Sequence, residues 1–320
     1  MAERDDLKAT DLRDLVPSEW FSKRVGSSIW IRGYRVHKVN RENLPLSIIT
    51  NMRDVQMIAL YGTLSYLDSP RIEFTSEHDW VVHSPNLLNT PEATYLLLLI
   101  PYAVDGQEGD ESKVRQRLDA IAGLMIAING RNSAYNMIFD NNILNMSNGE
   151  VTVIGPPIEN PLFFPAPDFS ANRLREIVEM ERSILLLPEN ERNRIRLSLR
   201  WFAAAMQKID VDYFLSIWIA LEILGMGKHG KLEPLNTLLA RIYGLPDAKA
   251  AKEHFRLDLI SGLRARIAHH GEFVPIHQDL SRYIESLYVD ILMGRLQLPS
   301  EYRAQTILDK PGFDLNTYLV

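Results

Sequence analysis

Five prolines fall within a short stretch at the middle of the 320-residue chain. The stretch is GPPIENPLFFPAPDFS, residues 155 to 170, and its prolines are Pro156, Pro157, Pro161, Pro165 and Pro167. Proline has no backbone N–H to donate, and it disfavours helix in the residue before it. Because no helix is expected to run through these residues, we predict a connector between two domains.

The half before the connector has a mixed pattern. Several short runs are rich in β-branched and aromatic residues and are bounded by Gly, Pro, Ser or Asn, which predicts strands. These runs are SSIWIRGYRVHKV, RIEF, HDWVVHS and EVTVIG. Between them, DESKVRQRLDAIAGLMIAI has apolar residues at helical spacing. We therefore predict an α+β domain over residues 1 to 160.

The half after the connector follows a 3.6-residue period almost throughout, which predicts helices. The segments are SANRLREIVEMERSILLL, ENERNRIRLSLRWFAAAMQKI, DVDYFLSIWIALEIL, PLNTLLARIYG, DAKAAKEHFRLDLISGLRARIAHH and IHQDLSRYIESLYVDILMG. The third segment is apolar all round, so we expect it at the centre of the domain. Short loops between five or six helices predict an all-α helical bundle over residues 168 to 297, with a tail over 298 to 320. Helix is expected to predominate overall.

Composition excludes several classes of protein. The chain has no cysteine, which excludes disulfides, thiolate zinc sites and a cysteine nucleophile. Its formal net charge is -6, so only a local basic patch could hold nucleic acid. The start, MAERDDLKATDLRDL, lacks the apolar core of a signal peptide. The longest apolar run, YLLLLIPYAV, is about half the ~20 residues that a membrane helix needs and is typical of a buried strand or core segment. We expect a soluble cytoplasmic protein without membrane contact.

Residues 20 to 41 carry basic side chains interleaved with aromatic rings. The candidates for contact with RNA are Lys23, Arg24, Arg32, Arg35 and Trp30. Basic side chains hold phosphates, and aromatic rings stack single-stranded bases. The alternative is a strand that buries its aromatic face and exposes its charges.

Two further patterns are weaker. The segment GMGKHGK, residues 225 to 231, has the glycine spacing of phosphate-binding loops, but such a loop follows a strand and has Ser or Thr after its lysine. Here Leu232 follows, and SIWIALEIL before the loop is typical of a helix, so nucleotide binding is a minor alternative.

In a strand, His78 and His83 would face opposite sides and could not share a metal with Asp79. We predict no metal and no cofactor.

The segment ISGLRARIAHHGEF concentrates positive side chains where a helix is expected to end. Basic residues there complement the helix dipole, and Gly271 suits the left-handed position after the last turn, so a helix stop explains the segment. Arg264 and His269 also form an R-x4-H pattern. Five positions correspond to about 140° around a helix, so geometry alone favours Arg266 and His270 as the nearer pair.

Two motifs in the helical half resemble those of HEPN domains, particularly the Apea-like branch. Members pair a W-x-A-L-E-like central helix with a later L-R-x-x-I-x-H-x-G ending, on a bundle of four to six helices. The matching residues here are Trp218, Ala220, Leu221 and Glu222, and then Leu263, Arg264, Ile267, His269 and Gly271. The resemblance covers residues 170 to 297 and none of the N-terminal half. The family usually has a polar residue after the arginine, whereas this chain has Ala265.

The resemblance implies a metal-independent ribonuclease, an activity common in toxins, phage-defence proteins and RNA-processing enzymes. Family members usually dimerise so that two R-x4-H motifs face one cleft, which makes Arg264 and His269 the catalytic pair. Glu222 and His270 are further catalytic candidates, for orientation or proton transfer, and Arg266 is a candidate for RNA contact. Histidine takes or gives a proton near neutral pH, and arginine offers fixed positive charge to a phosphate.

We therefore expect an endoribonuclease that acts on single-stranded RNA as a homodimer. The N-terminal domain is expected to act as a sensor or to recognise the substrate. The alternative is a non-catalytic HEPN-type protein whose bundle binds a partner or dimerises, because many HEPN domains lack activity.

Overall fold

The protein is represented by a computed structural model that describes part of the chain. The described residues are 10–11, 28–36, 47–52, 55–62, 64–65, 73–74, 80–81, 93–103, 110–131, 137–145, 151–153, 171–226, 231–272 and 274–319. Contacts divide the chain into two compact units. The first is Met1–Leu118 with Ile128–Val178, and the second is Asp119–Ala127 with Glu179–Val320. The predicted connector at 155 to 170 lies outside the described residues.

The first unit is built on an antiparallel sheet. The strands are β1 (Thr10–Asp11), β2 (Ser28–Val36), β3 (Ser47–Met52), β4 (Val55–Gly62), β5 (Leu64–Ser65), β6 (Glu73–Phe74), β7 (Trp80–Val81), β8 (Ala93–Ala103), β9 (Met137–Asn145) and β10 (Val151–Val153). Six of them form one sheet in the order β10-β9-β2-β8-β4-β3. The two-residue strands pair separately, β1 with β5 and β6 with β7. The predicted strands are confirmed, whereas β1, β3, β4, β5 and β9 were not predicted.

The middle of β8 is enclosed on both faces of the sheet. Leu96, Leu97, Leu98 and Leu99 are all fully buried, and successive residues of a strand point to opposite sides. An uninterrupted apolar run is therefore needed at this position, because neither face meets water. The interpretation of YLLLLIPYAV as a buried strand is confirmed.

An enclosed ion pair joins β2 to β9. Asp140 accepts hydrogen bonds from Arg32 at 2.9 Å (Nε) and 2.8 Å (Nη2), and from Trp30 Nε1 at 3.0 Å. Arg115 reaches the same carboxylate with Nη1 at 3.3 Å, from helix α1 (Glu111–Asn129). Arg32 and Asp140 are only 4% and 8% exposed, so each charge depends on the other for its solvation. The β2–β9 register shifts on either side of Gly33, beside this pair.

Helices predominate among the described residues. After residue 170 they are α2 (Ala171–Leu186), α3 (Glu189–Ala205), α4 (Asp210–Gly225), α5 (Glu233–Tyr243), α6 (Ala248–Phe255), α7 (Leu257–His270), α8 (Gln278–Arg295), α9 (Arg303–Leu308) and α10 (Leu315–Leu319). None of the helices in the described ranges has both the length and the apolar character to cross a membrane.

Helix α4 lies at the centre of the second unit. Its side chains Phe214, Ile217, Trp218 and Leu221 are buried, and the helix contacts α3, α5, α7 and α8. The sequence prediction of a central position is confirmed. A helix that is apolar on all sides is stable only when neighbours cover every side, which sets the arrangement of the other helices around it.

One long predicted helix is two helices in the structure. The side chain of Asp247 accepts from the Ala250 N–H at 2.8 Å and starts α6, which ends at Phe255. Arg256 has the left-handed φ of 52° and separates α6 from α7. Phe255 and Leu257 are both fully buried. In one continuous helix these two residues would lie about 200° apart, so the break allows both side chains to enter the core.

The segment after residue 297, which the sequence analysis describes as a tail, folds against α8. The fully buried Asp290 accepts hydrogen bonds from Ser300 Oγ at 2.8 Å, from the Arg303 N–H at 3.1 Å and from the Ala304 N–H at 2.8 Å. The Tyr243 hydroxyl donates to the same carboxylate. Asp290 therefore caps α9 and binds the end of the unit to its core.

Replacing Asp140 with Asn tests the enclosed ion pair. Burial alone would raise the pKa of the Asp140 carboxyl, but hydrogen bonds and charge from Arg32, with smaller contributions from Trp30 and Arg115, hold that pKa below its ordinary value. The carboxylate therefore stabilises the fold above about pH 4, and this contribution is lost as pH falls through the lowered pKa. We expect Asp140→Asn to lower the free energy of unfolding by about 3 kcal/mol at pH 7. Urea denaturation measures this, with hydrogen exchange of β2 and β9 to locate the loss.

The matched control for this variant is Glu111→Gln. Glu111 pairs with Arg115 one turn away at 2.7 Å, but both side chains are more than one third exposed. The expected loss is below about 0.5 kcal/mol. Equal losses in the two variants, or a difference between Asp140→Asn and wild type that persists unchanged at acidic pH, would contradict the assignment.

Replacing Gly123 with Ala tests the approach of α1 to α3. A Cβ at Gly123 would lie 2.4 Å from the backbone oxygen of Leu199. Backbone cannot yield without moving a helix, so we expect a loss of about 2 kcal/mol. Gly262→Ala is the control, because nothing lies within 4 Å of a Cβ there. This control should gain about 0.5–1 kcal/mol from lower backbone entropy in the unfolded chain. Chemical denaturation measures both, and a neutral Gly123→Ala variant would show that the two helices are not in close contact.

Candidate functional site

The last turn of α7 is wider than a regular α-helical turn. The N–H of Gly271 donates to the oxygen of Arg266, five residues earlier, and the N–H of Glu272 donates to the same oxygen at 3.3 Å. Gly271 has a φ of 65°, which glycine adopts without steric cost. The predicted helix end at this glycine is confirmed.

Arg264 and His269 are in contact at this helix end. The Arg264 Nη1 lies 2.8 Å from the His269 Nε2. A guanidinium nitrogen only donates, so Nε2 is the acceptor and the neutral imidazole carries its proton on Nδ1. The five-residue separation would place the two side chains about 140° apart on a regular helix. The wide last turn and the length of the arginine side chain allow them to meet.

The neighbouring basic residues have other surroundings. Arg266 Nε lies 3.4 Å from the Glu272 carboxylate, so this arginine faces the residue after the helix end. His270 is exposed in the last turn. Helical geometry had favoured Arg266 with His270, whereas the contact that the structure contains is the one in the R-x4-H register.

Glu222 links the pair to the core. On α4, Trp218 and Glu222 are one turn apart, and the Trp218 Nε1 donates to Glu222 Oε1 at 2.7 Å. The same oxygen lies 3.7 Å from Arg264 Nε. The indole is buried, whereas the Glu222 and Arg264 side chains are 30% and 29% exposed. A rigid aromatic ring therefore orients the carboxylate, and the carboxylate holds the guanidinium at its Nε edge.

The end of α4 that carries Glu222 is held by a second arginine. Arg194 of α3 donates to the backbone oxygens of Ile223 and Met226. Carbonyls in the last turn of a helix lack intrahelical donors, so this side chain caps α4. This cap stabilises the helical turn that contains Glu222.

These contacts gather three chemical functions at a surface. His269 provides a nitrogen that accepts a proton, Arg264 provides a fixed positive charge, and Glu222 anchors that charge in place. The three side chains come from two helices whose positions the core determines. Ala265, next to Arg264, contributes no polar group.

The predicted RNA contacts in the first unit need correction where the structure describes them. Trp30 is fully buried and Arg32 nearly so, and both direct their N–H groups at Asp140. A ring and a guanidinium enclosed in this way do not face a nucleic acid, so these two residues have a structural role. Lys23, Arg24 and the side chain of Arg35 lie outside the described part of the structure.

The structure gives no support to the GMGKHGK pattern or to the pattern of His78, Asp79 and His83. Helix α4, which ends at Gly225, precedes the GMGKHGK segment, whereas a phosphate loop requires a strand at that place. Residues 227 to 230 are not described, and neither are His78, Asp79 and His83. In the ranges that are described, no group of three or more Asp, Glu or His side chains is placed to hold a metal.

Sequence reasoning had not given Trp218 a role of its own in the site. The signal was present, because Trp218 and Glu222 are four residues apart on a helix and side chains at that spacing meet. The apolar pattern of the helix predicts only that Trp218 is buried, and it gives no role to the indole N–H as a donor.

Comparison of the chain with protein-family models, with curated proteins and with solved structures finds no match. The functional proposal therefore rests on the geometry of the Arg264, His269 and Glu222 cluster and on the resemblance of its two motifs.

Replacing Gly271 tests how the helix end holds His269 in place. A Cβ at this position would touch nothing within 4 Å, so the left-handed backbone is the only cost of a substitution. We expect Gly271→Ala to lose about 1 kcal/mol of stability, and Gly271→Asn to lose less because Asn tolerates this conformation. Chemical denaturation of the two variants measures the difference. If Ala proved as stable as Gly, or Asn worse than Ala, the backbone at the end of α7 would not be left-handed in solution.

Proposed function

We propose that the protein is a metal-independent endoribonuclease that cleaves single-stranded RNA with Arg264 and His269 as its catalytic pair. The observation that carries the proposal is the 2.8 Å contact between Arg264 Nη1 and His269 Nε2. Two residues that helical geometry separates are together at an exposed helix end. A histidine can act as a general base in phosphodiester cleavage, and an arginine can stabilise the charge that develops on the phosphate.

The chemistry uses only the substrate's own nucleophile. His269 Nε2 takes the proton from a ribose 2′-OH, and O2′ attacks the adjacent phosphorus. The bond from phosphorus to the 5′-oxygen breaks, and that oxygen leaves with a proton. The products are a 2′,3′-cyclic phosphate and a 5′-hydroxyl. Arg264 faces the negative charge that develops on the phosphate oxygens.

The resemblance to HEPN domains agrees with this assignment. The helix with the Trp218 and Glu222 motif and the helix with the Arg264 and His269 motif touch through the Glu222 carboxylate. A homodimer that brings two such pairs to one cleft would let one histidine act as base and the other as acid. In this proposal Glu222 is a positioning residue and His270 a second candidate for proton transfer.

The second candidate function is a non-catalytic helical module that binds a partner or a second copy. The Arg264 and His269 contact also favours this reading, because the arginine N–H occupies the histidine lone pair and could serve only to close the helix end. Ala265 in place of a polar residue points in the same direction.

Cleavage of RNA in EDTA decides between the two functions. We expect His269→Ala to slow cleavage by about 10²- to 10⁴-fold, the usual contribution of a general base. Arg264→Ala should slow cleavage strongly, and Arg264→Lys should restore little because lysine lacks the planar fork. Products are assayed for 2′,3′-cyclic phosphate ends.

The control variant is His254→Ala, an exposed histidine of the same unit that pairs with Gln305. It should cleave like wild type, and RNA methylated on every 2′-oxygen should resist cleavage. Cleavage of the methylated RNA, or full activity of His269→Ala, would refute the mechanism. A stable protein that cleaves no RNA would favour the non-catalytic module.

A further inference from the structure

The Arg264 guanidinium is held along one edge and is engaged along another. Its Nε, next to the aliphatic stem, lies 3.7 Å from Glu222 Oε1. Its Nη1, at the outer end, donates to His269. Trp218 holds the Glu222 carboxylate at 2.7 Å, so the inner edge has a fixed partner. Glu222 meets Nε and His269 meets Nη1, so the two partners of Arg264 use different nitrogens.

The contact with Arg264 masks the proton acceptor of His269. A neutral imidazole has one nitrogen lone pair available to accept a hydrogen bond, and here it is Nε2. While that lone pair accepts from Arg264, it is not available to a ribose hydroxyl. In this arrangement His269 therefore cannot act as the base that the proposed cleavage needs.

A phosphate oxyanion is a better partner for the outer edge than a neutral imidazole. Its oxygens are charged, and two of them match the spacing of the guanidinium fork. Access is open, since His269 is exposed and the Arg264 side chain is partly so. Among the neighbouring charges, Glu272 lies against Arg266 at 3.4 Å, so this carboxylate is already engaged by another arginine.

We propose that a phosphate oxyanion displaces His269 from Arg264 and thereby unmasks the histidine as a base. The Nη1 atom of Arg264 then binds the anion, while its Nε stays beside Glu222. As a result, the Nε2 atom of His269 loses its hydrogen-bond donor. This inference rests on the proposed function and adds a mode of regulation: the substrate's own phosphate switches on the group that deprotonates its 2′-OH. Nε2 of His269 then accepts no proton from the substrate until a phosphate oxyanion has bound to Arg264.

Nitrogen NMR of the full chain, labelled with ¹⁵N in histidine, tests the proposal. Spectra are recorded at a mildly alkaline pH at which they show a neutral His269 ring. Arg264→Ala gives the reference position of an unmasked Nε2. Inorganic phosphate is added first, and then an oligoribonucleotide methylated on every 2′-oxygen, which cannot be cleaved. We expect the wild-type Nε2 signal to move to the position found in Arg264→Ala.

The control variants separate this exchange from general effects of the anion. Arg282→Ala, which removes an exposed arginine of α8 that pairs with Asp279 at 3.8 Å, should respond like wild type. Arg264→Ala should not respond, and Arg264→Lys serves as a second reference if the alanine variant does not fold. A response to phosphate alone supports release by any phosphate oxyanion, and a response to the oligonucleotide alone supports release by nucleic acid.

The outcomes also separate this inference from the nuclease proposal. An unmoved Nε2 signal in a protein saturated with oligonucleotide would overturn the unmasking, even if wild type cleaves RNA. A signal that moves equally in Arg264→Ala would overturn it too. If the signal moves but the protein cleaves no RNA, the result supports the exchange of partners at Arg264 and refutes the nuclease proposal.

Discussion

The need to cover most of the apolar surface of α4 determines the second unit. A helix with apolar residues all round cannot face water, and α3, α5, α7 and α8 contact it. Glu222 lies near the end of this helix, where the cover is incomplete and a carboxylate can reach the surface. The helix that it meets there is α7, which carries the R-x4-H pattern. The position of the candidate site thus follows from core packing.

Two arginines in this chain show how burial decides what a guanidinium does. Arg32 directs both its Nε and its Nη2 at one enclosed carboxylate, so its hydrogen-bonding fork is used within the sheet. Arg264 meets its carboxylate only through Nε and directs Nη1 toward the surface. The first arrangement stabilises a fold. The second leaves a charged edge that can exchange one partner for another.

Local patterns predicted the helices well because periodicity and caps are properties of neighbouring residues. The break at Arg256 was not predictable in this way, since neither Gly nor Pro marks it and its cause is the burial of residues on both sides. Strand β9 was missed because the Asp-Asn-Asn at its centre resembles a turn. Asp140 is stable there only because of Arg32, which is 108 residues away in the sequence. The same distance explains why Arg32 was interpreted as an exposed basic residue. Within the site, family register identified the Arg264 and His269 pair that helical geometry had disfavoured.

The cap that Asp290 provides has a consequence for how the chain is made. An enclosed carboxylate without its donors is costly, and three of its donors come from residues 300 to 304. The same unit also takes in residues 119 to 127, from before the connector. During synthesis, therefore, Asp290 cannot accept these three hydrogen bonds until residues 300 to 304 have left the ribosome. The strands of the six-stranded sheet lie between residues 28 and 153, so all of them are synthesised before residues 300 to 304.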